Sequence, residues 1–394
     1  MRAVYTAGVN EREQPAALND RRPAYRRVAA ALVAAIESGR YPPGSRLPAE
    51  IDLAAEFDVS RGTLRQALAA LRSKGFIEAV PGRGSFVTHG SPSTPERRRR
   101  VVGVVVPSVA QPYVPDLLSW IEDELHEHGY AMLVGSSGTT REQQAGRVHR
   151  ILDEGASGLI AYPVDYEPDP TLFAHLGERG FPVVLIDRHL VGIAIDAVLP
   201  DNVGGAYAAV SHLANLGHRR IAFVSTDNLS TTSVAERLQG YQQALAEHGI
   251  PIDDRLVCAE LPVTSRWPRD AAAGVKGHAA RIVRFLERQR PTAVFTLHDY
   301  LAADVLEAAG HLGLRVPDEL ALASFDDDPP AASLAVPLTA VRQPREQLGR
   351  MAARMVVDRI EGRRTETARI VLPTQLVVRR SSGSLVGQAV EPAG

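Results

Sequence analysis

Apolar positions recur at helical spacing in the first part of the chain. Val28, Leu32, Ala35 and Ile36 share one side of a segment from Tyr25 to Ser38. That spacing predicts a helix, stopped by Gly39 and followed by a turn over Tyr41-Pro42-Pro43-Gly44. Glu50 to Phe57 reads as a short helix with Ile51, Leu53, Ala54 and Phe57 available for packing. Leu64, Leu68 and Leu71 then form one face of a third helix, with Ser60 placed to cap its start and Gly75 to end it. Phe76 to Val80 and Ser85 to Val87 read as strands joined by a turn over Pro81-Gly82-Arg83-Gly84. Three helices and a hairpin in this order predict a winged helix-turn-helix.

The pattern changes at Val101. Val101-Val102-Gly103-Val104-Val105-Val106 is a continuous, mostly β-branched run, as a parallel strand buried on both faces requires. Helix is expected over 115–128, strand over 130–135, helix over 142–152, and strands over 158–161 and 183–186. A second set comes next, with helices over 205–216, 237–248, 279–288 and 301–312 and strands over 221–225, 293–296 and 320–324. Two successive βα sets predict an α/β body of two doubly wound parallel-sheet lobes. Such sheets bind ligands at the carboxyl ends of their strands, and two facing lobes imply a cleft with hinge closure.

Charge divides the chain in the same place. Residues 1–100 hold 17 Lys plus Arg against 10 Asp plus Glu, and the remainder holds 27 against 36, although the whole chain carries a formal charge of only −2. A basic head suits a polyanionic partner without establishing one. The 394 residues suffice for two or three domains, and a single cysteine, Cys258, excludes a disulfide framework and a Cys-rich metal site. No run approaches a membrane span, and residues 1–15 lack an apolar secretory core, so a cytoplasmic protein is expected. The expected boundaries are an extension over 1–22, the winged head over 23–88, a linker over 89–100, the two-lobed body over 101–381 and a tail over 382–394.

Candidate chemistry sits in two places. Arg61, Thr63, Arg65 and Gln66 occupy the first turns of the third helix, mostly off its apolar face. A cationic front of this kind suits a major-groove reader or is merely a solvated face. Gly82 and Gly84 either bring the wing close to a phosphate or form an ordinary hairpin. Arg97 to Arg100 either grip phosphates or solvate the start of a strand. In the body, Asp187-Arg188, His298-Asp299 and Asp326-Asp327-Asp328 each come directly after a predicted strand. Carboxylates accept from hydroxyls and arginine donates a planar fork, a kit suited to a polyol, while the same aspartates at strand ends also serve as caps or turn residues. Trp267 either closes the cleft or packs in an irregular loop. No nucleophile elbow, Walker loop or zinc signature is present, and His149, His212 and His218 lack ligand-like spacing. The expectation is therefore neither enzyme nor metalloprotein.

Gly39-Arg40-Tyr41-Pro42-Pro43-Gly44-Ser45-Arg46-Leu47-Pro48-Ala49-Glu50, Val59-Ser60-Arg61, Thr63-Leu64-Arg65-Gln66-Ala67-Leu68 and Gly82-Arg83-Gly84-Ser85-Phe86-Val87 resemble the DNA-binding domain of GntR-family repressors over residues 23–88. The resemblance implies that Arg61 and Arg65 read guanine edges, supported by Thr63 and Gln66. It also implies that Arg46 and Ser60 belong to the DNA-binding set and that Gly82-Arg83 touches the minor groove. Ile51 stands where many members carry Arg, and Gly62 where Ser or Thr is usual. Residues 101–381 resemble the effector domain of LacI/GalR-family repressors, a periplasmic-binding-protein type I fold. Leu216-Gly217-His218-Arg219-Arg220-Ile221-Ala222, Phe325-Asp326-Asp327 and Pro337-Leu338-Thr339-Ala340-Val341-Arg342-Gln343-Pro344 carry this match. It implies that Arg237, Asp299 and Asp326 bind the effector, with Tyr113, Asp187 and Arg188 as neighbours. His298 departs from the usual Asn before Asp299. The combination is similar to the arabinose-repressor subgroup. The resemblance implies a homodimeric repressor of carbohydrate-use genes, with operator DNA and a sugar as partners and no cofactor. A sugar-binding module without a regulatory role is the alternative.

Overall fold

The computed structural model describes residues 23–73, 76–80, 84–88, 100–111, 113–164, 170–262 and 275–383. The chain divides into two compact units, residues 1–98 and 99–394.

In the smaller unit, α1 (Ala24–Glu37), α2 (Glu50–Glu56) and α3 (Arg61–Ser73) precede an antiparallel hairpin of β1 (Ile77–Val80) and β2 (Gly84–Val87). The leucines expected to face inward do so. Leu32, Leu53, Leu64, Leu68 and Leu71 are buried together with Val28, Ile36, Leu47, Ile77 and Val87. Residues 45–47 add to the hairpin edge through Leu47 N–H to Ser85 O (2.9 Å) and Val87 N–H to Ser45 O (2.9 Å).

The larger unit is the two-lobed α/β body. The first lobe contains β3 (Val101–Val106), α4 (Tyr113–Glu127), β4 (Ala131–Ser136), α5 (Arg141–Asp153), β5 (Gly158–Ala161), α6 (Thr171–Glu178), β6 (Val183–Ile186) and β7 (Asp196–Pro200). The second contains α7 (Asn202–Asn215), β8 (Ile221–Thr226), α8 (Thr232–Glu247), β9 (Val257–Leu261), α9 (Val275–Gln289), β10 (Ala293–Thr296), α10 (Asp299–His311), β11 (Ala321–Asp326) and β12 (Thr339–Arg342). The chain then returns to the first lobe for α11 (Arg345–Ile360) and β13 (Arg369–Leu372), and ends in the second with β14 (Gln375–Val377). The sheets run β13-β7-β6-β5-β3-β4 and β14-β12-β11-β10-β8-β9. Every pair in them is parallel except β12–β14.

Three crossings therefore join the lobes, at 200–202, 342–345 and 372–375. Helix α11 buries Ala352, Ala353, Val356, Val357 and Ile360 in one core with Val104, Ile121, Ile160 and Val184 of the first lobe. Its close approach to α4 needs Gly349, where a Cβ would sit 2.9 Å from Trp120 Cβ.

Several elements go beyond the sequence reading, which assigned no α6, β7, β9, β12, α11, β13 or β14. The body also ends later than expected. Ser382, assigned to the tail, is buried, and its hydroxyl lies 2.7 Å from Thr339 Oγ1 and 2.9 Å from His212 Nε2. Among the described residues no helix is long and apolar enough to cross a membrane.

Candidate nucleic-acid interface and ligand cleft

Ser60 sets the start of α3. Its hydroxyl accepts from Thr63 N–H at 3.1 Å and lies 2.9 Å from Thr63 Oγ1, so two polar side chains are spent on orienting the first turn. Arg61, Arg65 and Gln66 are exposed beside them and Thr63 is half-buried. Arg65 is held by an exposed ion pair, Nε to Glu50 Oε2 at 2.9 Å, which ties α3 to the start of α2. Arg46 is exposed and lies against the hairpin, where a Cβ on Gly84 would come within 3.0 Å of its Nε. Gly84 has φ +104°, a conformation that favours glycine. Ile51 is 55% exposed, and a Cβ at Gly62 would meet only Ser60 Oγ at 3.7 Å. Both unusual positions thus have room for the side chains they lack. Gly82, Arg83 and Arg97 to Arg99 lie outside the described residues. Arg100 belongs to the body, with its guanidinium 5.6 Å from the Tyr130 ring centroid and Nη1 donating to His128 O at 3.4 Å.

In the body, the expected residues gather at the carboxyl ends of β6, β10 and β11. Asp187 comes directly after β6, Asp299 opens α10 just after β10, and Asp326 ends β11. All three are buried, as are Arg188 and Arg237. Asp187 (φ 72°), Asp326 (φ 105°) and Asp327 (φ 52°) adopt left-handed backbone conformations, a local cost that surrounding contacts must offset.

Arg237, from the first turns of α8, is held by three hydrogen-bond or ion-pair partners. Nε donates to Asn202 Oδ1 (3.0 Å), Nη1 donates to Leu297 O (2.6 Å) and Nη2 lies 3.3 Å from Asp326 Oδ1. The guanidinium also rests 3.8 Å from the Phe325 ring centroid. Arg188 pairs with its neighbour Asp187 at 3.1 Å, donates to Tyr162 OH at 2.8 Å and lies over the Tyr162 ring. Tyr162 in turn packs against half-buried Tyr113, with ring centroids 5.9 Å apart. Asp326 accepts from Gln343 Nε2 at 2.7 Å, and Arg345 binds both Asp326 O (2.8 Å) and Asp328 Oδ1 (2.6 Å).

Burial pushes the Asp187 carboxyl up to about 7, with Arg237, reaching from the other lobe, opposing the rise. Asp299 is also raised, first by burial and then by the neighbouring Asp326. Asp328 is pushed up to about 6 by burial and by Asp326, against the pull of Arg345. His298 caps α10, its Nδ1 accepting from Leu301 N–H at 3.3 Å, and its ring lies 5.7 Å from that of Tyr300. Trp267 lies outside the described residues.

The cleft thus holds residues that the sequence reading left out of the site: Tyr162, Asn202, Gln343 and Arg345. At one mouth, a cavity of about 120 Å³ is lined by Arg188, His189 and Val191 from the first lobe and Ser230, Thr231 and Thr232 from the second. His189 and Thr232 exchange two bonds across it, Thr232 Oγ1 to His189 O (2.8 Å) and His189 N to Thr232 Oγ1 (3.2 Å). Arg369 on β13 pairs with Glu236 on α8 at 2.7 Å.

Comparison with known proteins places both units. Residues 24–87 match the family described as bacterial regulatory proteins, gntR family, and residues 210–382 match the periplasmic binding protein-like domain. The arabinose metabolism transcriptional repressor of Geobacillus stearothermophilus is 28% identical over 365 residues, covering 91% of this chain and 98% of its own. The HTH-type transcriptional regulator DegA of Bacillus subtilis is 30% identical over 290 residues, 73% of this chain and 82% of its own. Among solved structures, the transcriptional regulator CelR in complex with cellobiose gives a TM-score of 0.64 at 28% identity, covering 85% of this chain and 100% of that one. The transcription regulator GntR from Chromobacterium violaceum gives 0.61 at 29% identity, covering 72% and 99%.

Proposed function

The chain belongs to the bacterial transcriptional regulators that join a GntR-type winged helix-turn-helix to a periplasmic-binding-protein-like body, and we propose that it is a cytoplasmic, homodimeric repressor of carbohydrate-use genes released by a sugar effector. The head binds operator DNA. Arg61 and Arg65 take base edges from the exposed front of α3, Thr63 and Gln66 support them, and Ser60 holds the helix start. Arg46 and the wing residues Gly82 and Arg83 meet the backbone and minor groove. Arg65 exchanges its Glu50 partner for the duplex, at little cost because exposed pairs are worth about 0–1 kcal/mol.

The observation that carries the sugar reading is the buried polar cluster assembled from both lobes at the strand ends. Asp187, Arg188, Arg237, Asp299 and Asp326 supply acceptors and planar donors, and Tyr113 and Tyr162 supply flat faces for a sugar ring. The relatives support the same assignment, since one is named for arabinose metabolism and one solved neighbour is a cellobiose complex. His298, directly before Asp299, belongs to the same effector-binding set and also caps α10, its Nδ1 accepting from Leu301 N–H.

Coupling is by linkage. Effector favours one arrangement of the two lobes, the paired heads change spacing, and operator affinity falls. Operator then weakens effector by the same factor. The test is a thermal-shift screen of monosaccharides and disaccharides, then operator shift assays with each hit. A sugar that raises the melting temperature and lowers operator affinity supports the reading. A sugar that stabilises the body but leaves operator affinity unchanged returns the chain to a binding module without a regulatory role.

A further inference from the structure

At one mouth of the cleft a histidine stands between a guanidinium and a carboxylate of opposite lobes. His189, just after β6, and Arg369, the first residue of β13, belong to the first lobe, and Glu236 lies on α8 of the second. His189 and Glu236 are half-buried and Arg369 is exposed. Thr232 sits one turn before Glu236 on the same face of α8, and its exchange with the His189 backbone sets the imidazole beside the carboxylate. His189 Nδ1 is 3.8 Å from Glu236 Oε1, and its Nε2 is 3.2 Å from Arg369 Nη1. Arg369 also spans the mouth, Nη2 donating to Glu236 Oε1 at 2.7 Å, while Asn202 Nδ2 donates to Glu236 Oε2 at 3.0 Å.

The partners assign the ring proton. A guanidinium carries donors only, so the Nε2 beside it is the acceptor and bears no hydrogen. The imidazole is therefore neutral, with its hydrogen on Nδ1 toward Glu236. Nδ1 is buried and makes no hydrogen bond among the described residues, since 3.8 Å is too long for one. A second proton has only Nε2 to occupy, where it meets an N–H of Arg369. Two donors and two cations would then face each other, and Arg369 would have to withdraw from the ring and loosen its hold on Glu236. Burial, and then the Arg369 charge, hold the imidazole below its ordinary range, against the pull of Glu236. Among the described residues these are the charges that face the ring from α8 and β13. The adjoining Arg188 turns its guanidinium onto Asp187 and Tyr162 instead.

We propose that His189, Arg369 and Glu236 form a proton-sensitive latch between the lobes, closed while His189 is neutral and released when it is protonated. The latch acts on the lobe angle whatever the cleft binds. Linkage sets its sign. With the lobes apart, His189 is solvated and takes up a proton at about pH 6.5, and with the latch closed it does so only at lower pH. Acid therefore favours opening. The ratio of open to closed molecules rises by at most about tenfold per pH unit as pH falls below about 6.5, and is indifferent to this histidine well above it.

The test uses the full-length chain without ligand. Small-angle X-ray scattering at pH 5 and pH 8 reads the lobe angle, and NMR of isotope-labelled histidines reads the ring. The wild type should expand in acid. Asp187 and Asp328 titrate in the same range, so the deciding comparison is with His189→Gln. Its amide offers Arg369 an acceptor and Glu236 a donor but takes up no proton, and the acid expansion should shrink or vanish. His189→Lys, charged at both values, should be expanded at both. By NMR, one histidine should titrate below its ordinary range in the wild type and at higher pH in Arg369→Ala, a change at an exposed position. The latch is refuted if the wild type does not expand in acid, if His189→Gln expands as much as the wild type, or if no histidine midpoint rises in Arg369→Ala. Should the His189 variants fail to fold, the NMR comparison still decides.

Discussion

Arg237→Ala is the substitution with the largest expected consequence. It removes donors from Asn202 Oδ1, Leu297 O and Asp326 Oδ1, and takes a guanidinium off the Phe325 ring. A buried acceptor left unpaired costs about 1–3 kcal/mol, and breaking a buried ion pair about 3–5 kcal/mol. The groups share one network, so the terms overlap, and a total of about 3–6 kcal/mol is expected. Against a usual stability of about 5–15 kcal/mol, the body's melting transition should fall clearly while the head's stays in place. Effector affinity should drop at least tenfold, or about 1.4 kcal/mol. Arg237→Lys keeps the charge near Asp326 but cannot reach three acceptors as a planar fork, so it should recover part of the stability and little of the effector affinity. Calorimetric melting and isothermal titration, paired with an operator shift assay, make the measurement. An Arg237→Lys protein with wild-type stability and wild-type effector affinity would refute this account, because the expected loss depends on the fork rather than on the charge.

Other expectations concern the head and titration. Arg61→Ala and Arg65→Ala should each cost about 1–3 kcal/mol on operator and little on random duplex; unchanged discrimination in both would remove them from base readout. Gly62→Ser should raise the head's stability by roughly 0.5–1 kcal/mol, since the position is helical, exposed and open. Ile51→Arg should steepen the salt slope of binding by about one unit, and a flat response would place Ile51 away from phosphate. Burial raises Asp187 to about 7 and, with Asp326, raises Asp328 to about 6. Protonated carboxyls are therefore favoured in the folded state, and their stabilising contribution is fully present below about pH 4 and lost as pH rises through about 7. Ligand-free body should melt higher at pH 5.5 than at pH 8. A sugar donating to these carboxylates should release protons between those values, which titration in two buffers of different ionisation enthalpy detects as differing heats.

The head was almost wholly legible because its information is local. Each of its helices is long enough to show a period, and Ser60 caps where a capping serine belongs. The body was legible only as far as its strands are continuous apolar runs. β12, β13 and β14 are cut short by Arg342, Arg369 and Gln375 and show no continuous apolar run, unlike β5 and β6, which span only four residues each. Helix α11 has a broad apolar face because it packs on both α4 and the sheet, and its polar face carries Arg350, Arg354 and Arg359. Arg350 has a local partner in Glu346, but the buried partners of these arginines are distant in sequence: Glu124 for the first two and Asp196 for the third. Helix α7 begins at Asn202 rather than Gly205. Gly204 looks like a breaker in sequence, yet its N–H is capped by Asp201 at 2.8 Å. In the cleft, residues directly after strands were readable, and the same rule applied to β5 would have found Tyr162. Gln343 follows β12 directly but that strand was not read, while Asn202 and Arg345 carry no such mark, because they are placed by the crossings between lobes.

That placement bears on how the cleft communicates. Asn202 opens α7 at the first crossing and holds Arg237 through its Oδ1 and Glu236 through its Nδ2. Gln343 and Arg345 lie on the second crossing and hold Asp326 and Asp328. Arg237 and Asp326, which the proposed function assigns to effector, are therefore bonded to segments that join the lobes. A ligand hydroxyl that accepts from Arg237 or donates to Asp326 competes with, or adds to, bonds that fix those segments. The bonds between Arg369 and Glu236 and between His189 and Thr232 resist opening at the mouth. On the proposed reading, binding energy spent at the strand ends would be expressed at the crossings without a separate relay, because occupancy and lobe angle would draw on the same hydrogen bonds. Such sharing gives the differential contacts between states that a coupled binding site requires.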